Sequence, residues 1–103
     1  MATVDEILGK VSSLTEQGKL DWTAVGRGSF RTQIDKLFLS IARDGAQYTF
    51  TVYDDDGNLL ESTSEMWLES AQAKLFEQAR RAALKVEQNL EILSRRLDNL
   101  IRG

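Results

Sequence analysis

Asp54, Asp55, Asp56, Gly57 and Asn58 form the acidic cluster of this 103-residue chain, and calcium binding is the first chemistry to test there. With Gly57 as the sixth residue of an EF-hand loop, Val52 would stand first, Asp54 third, Asp56 fifth and Thr63 twelfth. Positions one and twelve then lack a carboxylate, so the motif fails. Asp and Gly suit the dihedrals of a hairpin turn, and a turn is the expected role. Arg27 and Arg31 flank Gly28 and Ser29, but two arginines without a helix N-terminus or a nest do not make an anion site. Gly26-Arg27-Gly28 is too short for a dinucleotide fingerprint. Arg80-Arg81 and Arg95-Arg96 point about 100° apart within each pair and read as solvated helix faces. Phe30, Tyr48 and Phe50 could suggest a base-stacking sheet, yet Phe30 and Phe50 fall on the expected inner face and the surrounding charge is acidic.

The residues that are missing narrow the chemistry further. The chain has no Cys, no His and no Pro. Disulfides, thiolate metal sites, imidazole bases and Ser-His-Asp triads are therefore excluded. No acid–base pair at motif spacing, phosphate loop or metal set is present, so the expectation is a non-enzymatic protein with no cofactor and no metal. Residues 1–65 carry 6 Lys/Arg against 11 Asp/Glu, and residues 66–103 carry 7 against 5. Neither half has the basic patch of a nucleic-acid binder. Residues 1–10 lack a basic n-region and an apolar h-region, and no run reaches the ~18 apolar residues of a membrane span. The expected location is the cytoplasm.

The elements that would position any site follow from periodicity. Thr3 to Glu6 reads as a capping box, and Val4, Ile7, Leu8, Val11 and Leu14 share one helical face. A helix is expected over about 4–17, closed by Gly18 as a left-handed cap. Residues 20–28 form a connector anchored by Trp22, a large aromatic in a polar stretch. From 29 to 64 the period is two. Turns at Asp35-Lys36, Asp44 to Gln47 and Asp55 to Gly57 set three registers, pairing Ile34 with Leu37, Ile41 with Phe50, and Val52 with Leu60. Parity through these turns collects Phe30, Ile34, Leu37, Leu39, Ile41, Phe50, Val52 and Leu60 on one face. Gln33, Phe38, Tyr53 and Leu59 form a cross-strand row on the other.

Ser62 or Ser64 can cap the helical segment after the sheet. From Met66 to about Ile101 the sequence contains no Gly and no Pro, and it is rich in strong helix formers. A straight helix there would run roughly 54 Å, against roughly 23 Å for a seven-residue strand. The sheet cannot cover a straight helix of that length, so either something else buries the remainder or the helix bends or breaks. Phe76, Ala79, Ala83, Val86, Leu90, Leu93, Leu97 and Leu100 alternate as a and d positions of one heptad frame, the spacing of a helix–helix seam. Residues 67–86 are expected in the core. Leu90, Leu93, Leu97 and Leu100 are expected at a helix–helix contact, with the first helix or a second subunit. Phe38, Tyr53 and Leu59 form a second candidate interface, because a contiguous apolar patch exceeds what an exposed sheet face requires.

The order helix, Gly-Lys-Leu-Asp-Trp (Gly18 to Trp22), aromatic-led meander, Tyr-x-Phe-x-Val-Tyr-Asp-x-Asp-Gly-Asn-Leu (Tyr48 to Leu59) and long C-terminal helix resembles small bacterial α+β domains known mainly as uncharacterised proteins. The resemblance implies no catalytic residues and agrees with a non-enzymatic reading. The expected architecture is a single α+β domain over 1–103 in the order α-β-β-β-β-α. It has a four-stranded antiparallel meander (about 29–64), with the N-terminal helix (about 4–17) and the C-terminal helix (about 66–101) on one face. The expected function is a homodimeric protein–protein interaction module. Two alternatives are a small acidic chaperone or adaptor binding a client peptide, and a small-molecule or enzymatic site near Trp22 and Arg27.

Overall fold

A computed structural model describes residues 2–103 and shows an α+β fold. Helix α1 (Val4–Glu16) is followed by strands β1 (Thr23–Ala24), β2 (Ser29–Ile34), β3 (Leu37–Asp44), β4 (Gln47–Asp54) and β5 (Leu59–Glu65). Helices α2 (Ala71–Ala83) and α3 (Val86–Arg102) complete the chain. The sheet is antiparallel throughout, in the order β1-β2-β3-β4-β5.

Local chemistry sets the boundaries of α1. Thr3 Oγ1 accepts the Glu6 amide at 3.2 Å, and Gly18 (φ 71°) ends the helix where only a residue without Cβ turns at little cost. The connector holds more order than the sequence suggested. Thr23 and Ala24 pair with Arg31 and Phe30, so the meander has five strands rather than four. Trp22 docks as expected: it is buried, and its indole Nε1 donates to Thr15 Oγ1 at 3.0 Å.

The register pairs Ile34–Leu37, Phe30–Ile41, Ile41–Phe50 and Leu39–Val52 are those that the turn lengths imply. Asp35 (φ 55°) supplies the positive φ of the two-residue β2–β3 turn. The last hairpin differs. Tyr53 pairs with Leu59 as expected, but a bulge sets Val52 opposite Glu61 and leaves Leu60 between them. A bulge inserts one residue without a partner and reverses the parity beyond it. Leu60 is consequently exposed, and Glu61, Thr63 and Glu65 take the helix-facing positions of β5. Charged side chains on an edge strand discourage further strand pairing. Leu37, beside the tight turn, is also exposed, and Ile34 is half-buried.

The core forms between the sheet face and α2, with α1 lying against α2. Phe30, Leu39, Ile41, Tyr48, Phe50 and Val52 meet Ala73, Leu75, Phe76 and Ala79, while Leu8 and Val11 close the cluster from α1. Phe76 sits 5.5 Å from the ring centres of both Phe30 and Tyr48, in the tilted geometry that aromatic pairs prefer. Ser12 Oγ donates to Gln78 Oε1 at 2.7 Å and joins α1 to α2.

The single C-terminal helix does not exist as expected. Residues 66–70 are not helical, and Ser70, not Ser62 or Ser64, caps α2 by accepting the Ala73 amide at 3.1 Å. Ser62 and Ser64 lie within β5 and bond across to Thr51 and Thr49. A second interruption comes after α2. Leu84 closes that helix, and Lys85 adopts a left-handed conformation (φ 53°). Neither Gly nor Pro causes the break; one polar side chain bonds a carbonyl at the end of α2, and an ion pair spans the junction. Asn89 Nδ2 donates to the Leu84 carbonyl at 3.0 Å, and Arg81 Nε donates to Glu87 Oε1 at 2.7 Å across the junction. The Arg81 hydrogen bond holds the Glu87 carboxyl below the usual glutamate value. A residue with Cβ in this conformation costs about 1–2 kcal/mol, whereas glycine costs about 0.5–1 kcal/mol in backbone entropy. Lys85→Gly is therefore expected to raise stability by roughly 0.5 kcal/mol, a melting-temperature rise of roughly 2–4 °C in a thermal scan.

Candidate interaction surfaces

Helix α3 departs from the body, and the molecule measures 59 × 29 × 24 Å. Among the described residues, α3 contributes none to the buried core. Leu90, Leu93, Leu97 and Leu100 are 53, 51, 49 and 76% exposed, although they repeat at a/d spacing along one face. Val86, one turn earlier on the same stripe, is half-buried at the junction. Among the described residues α3 packs on the end of α2 and makes no extensive contact with the sheet or α1. The structure divides the predicted heptad frame, with Phe76, Ala79 and Ala83 on α2 and the four leucines on a separate arm.

Charge on α3 is segregated along its length. Its N-terminal half, Val86 to Ser94, carries Glu87 and Glu91, a balance of -2. Its C-terminal half carries Arg95, Arg96 and Arg102 against Asp98, a balance of +2. Arg95 Nε lies 3.3 Å from Glu91 Oε1, one turn earlier, and the pair bridges the two halves on the exposed side. The remainder of the chain, residues 1–85, carries a net -3.

The second candidate surface is the sheet face away from the helices. Gln33, Phe38, Tyr53 and Leu59 do stand in one cross-strand row. Phe38 and Tyr53 are half-buried and Leu59 is exposed. The Arg31 guanidinium lies over the Phe38 ring, 5.3 Å from its centre, and shields that aromatic with a cation–π contact. Around Arg31, Phe38, Ser40 and Tyr53 the face forms an open depression of about 500 Å³, walled by Val25 on one side and Asp54 and Asp55 on the other. This face is therefore polar and partly self-covered, unlike the bare leucine stripe of α3.

At the third location, the Asp54 to Asp56 carboxylates lie within 4.8 Å of one another. Asp54 is already engaged: Oδ1 accepts the Asp56 and Asn58 amides at 3.0 and 2.8 Å, and Oδ2 accepts Asn58 Nδ2 at 2.9 Å. These bonds, led by the Asn58 side chain, hold the Asp54 carboxyl below its usual value. The cluster is an Asx-type turn that shapes the β4–β5 hairpin. Asp54→Ala should lower the melting temperature at neutral pH. Because the folded-state value is depressed, the stabilisation is present above the unfolded value of about 4 and is lost as pH falls through the lower folded value. The gap between wild type and variant should accordingly close on acidification below about pH 4.

Trp22 faces the core, and Arg27 is exposed in the loop before β2. Among the described residues, no buried side-chain nitrogen or oxygen lacks a hydrogen-bond partner. The structure adds one exposed apolar segment, in which Trp67 and Leu68 were expected in the core. Met66, Trp67 and Leu68 lie exposed between β5 and α2, Trp67 at 74% and Leu68 at 81%. The signal for it was Ser70: a serine that starts the helix leaves residues 66–69 outside it. No described helix is long and apolar enough to cross a membrane. No family model, curated protein or solved structure matches the chain.

Proposed function

We propose that this chain is a non-enzymatic protein–protein interaction module that forms a homodimer through α3. One observation carries the reading: a 17-residue helix with a continuous leucine stripe has no buried residue, and Val86 alone is half-buried, where the helix meets α2. An isolated helix of that length is marginal in water, and most helical stability in proteins comes from packing an apolar face. The stripe calls for a helical partner with the same spacing, and a second copy supplies one by symmetry. The row of Phe38, Tyr53 and Leu59 is the weaker candidate for the interface, because Arg31 already covers Phe38. Light scattering on the purified chain should give the mass of two chains. A clean monomer at high micromolar concentration would overturn the proposal.

The exposed Met66, Trp67 and Leu68 favour a second reading, in which the module is a small acidic adaptor for a client peptide. Trp67 reports on it directly once Trp22 is replaced by phenylalanine. Apolar peptides bound at this segment should then shift the remaining emission to the blue. An unchanged spectrum across an apolar peptide panel would remove this reading.

A further inference from the structure

We infer that the two α3 arms pair antiparallel, with Leu90 facing the partner's Leu93 and Val86 facing the partner's Leu97. The inference rests on the dimer proposed above and adds the orientation and register of the same seam. The observation behind it is the separation of charge along the arm: -2 on the N-terminal half, +2 on the C-terminal half. In a parallel pair, like halves lie side by side, and the two bodies of net charge -3 stand together at the N-terminal end. Antiparallel pairing sets each +2 half against a -2 half. The two helix dipoles then also oppose each other favourably.

Antiparallel seams place a positions opposite d positions, which leaves two registers for these leucines. One sets Leu90 against the partner's Leu100 and brings the two Arg96 side chains together beside the seam. The other sets Leu90 against the partner's Leu93, adds Val86 to the buried stripe and faces Arg96 with the partner's Asn89. The second register avoids the like-charge contact, and each arm still buries four apolar residues, Val86, Leu90, Leu93 and Leu97.

The absence of Cys in the natural chain makes cross-linking specific. Val86→Cys and Leu97→Cys chains are purified separately, shown to be dimeric by light scattering, mixed and mildly oxidised. The expected result is a disulfide-linked heterodimer from the mixture and no cross-link from either variant alone. In this register, identical positions lie roughly 16 Å apart along the axis, beyond the ~7 Å limit for a disulfide. Self-cross-linking of each variant would mean a parallel pair and would overturn the inference while leaving the dimer. A monomeric wild type would instead overturn the dimer itself. Should cysteine in the seam weaken association, a nitroxide on Arg102→Cys, outside the seam, gives the second reading. Label separations beyond about 30 Å mean antiparallel arms and separations of about 20 Å mean parallel ones.

Discussion

Leu93→Glu should convert the protein from dimer to monomer without unfolding it. Leu93 stands in the middle of the stripe and touches no core residue of its own domain, so the meander and α1–α2 packing lose nothing. In the dimer, two carboxylates would enter a leucine seam with no cation placed to receive them. An unpaired charge at such a site costs at least about 3 kcal/mol of association free energy, a weakening of about 100-fold or more in the dissociation constant. Sedimentation equilibrium measures the loss, and far-UV circular dichroism separates it from unfolding. Phe38→Glu is the matching control on the sheet face. It should leave the dimer intact; if Phe38→Glu dissociates the protein and Leu93→Glu does not, the interface is the sheet row and α3 has another role.

The largest effect on stability is expected at Trp22. Trp22→Ala should cost about 3–5 kcal/mol in a denaturant titration, a large part of the 5–15 kcal/mol that holds a domain of this size. The indole is buried where the connector meets α1 and the sheet, and its N–H is bonded to Thr15 Oγ1. Thr15 Oγ1 in turn donates to the Val11 carbonyl at 2.7 Å, so the loss would reach the middle of α1. Trp22→Phe keeps a ring in the core and should cost about 1–2 kcal/mol, the hydrogen bond and part of the packing. These variants also weigh the second alternative raised by the sequence. A small-molecule site built on Trp22 and Arg27 would show ligand-dependent changes in Trp22 emission at full stability. A purely structural Trp22 would show none.

The meander was legible because its evidence is redundant. Ile34–Leu37, Ile41–Phe50 and Tyr53–Leu59 each follow from a turn length, and one parity runs through all three. The bulge at Leu60 was not legible. It changes the register by one residue without changing the turn, and both Leu59 and Leu60 satisfy a strand pattern. The pairing of Thr23 and Ala24 was likewise hidden, since two residues carry no periodicity. The breaks before and after α2 escaped for a different reason. Reading helix ends from Gly and Pro treats the backbone alone. Here Ser70 starts α2, and Asn89, Arg81 and Glu87 stabilise a left-handed Lys85, all through side chains whose partners become definite only in three dimensions. The heptad frame was visible throughout, and the excess length of the helical segment over the sheet pointed to an uncovered stripe. The sequence did not show that a break at Lys85 separates that stripe from the core.

Amide hydrogen exchange in α3, measured as a function of protein concentration, decides whether a second copy covers the leucine stripe. A lone arm of this length frays readily, whereas an arm in a leucine seam is protected by the association equilibrium. Protection of the amides from Leu90 to Leu100 should rise with concentration through the micromolar range, while that of Phe50 and Leu75 in the core stays constant. Protection in α3 that is weak and independent of concentration up to the high micromolar range would contradict the account, because it would leave the leucine stripe without a second copy to cover it.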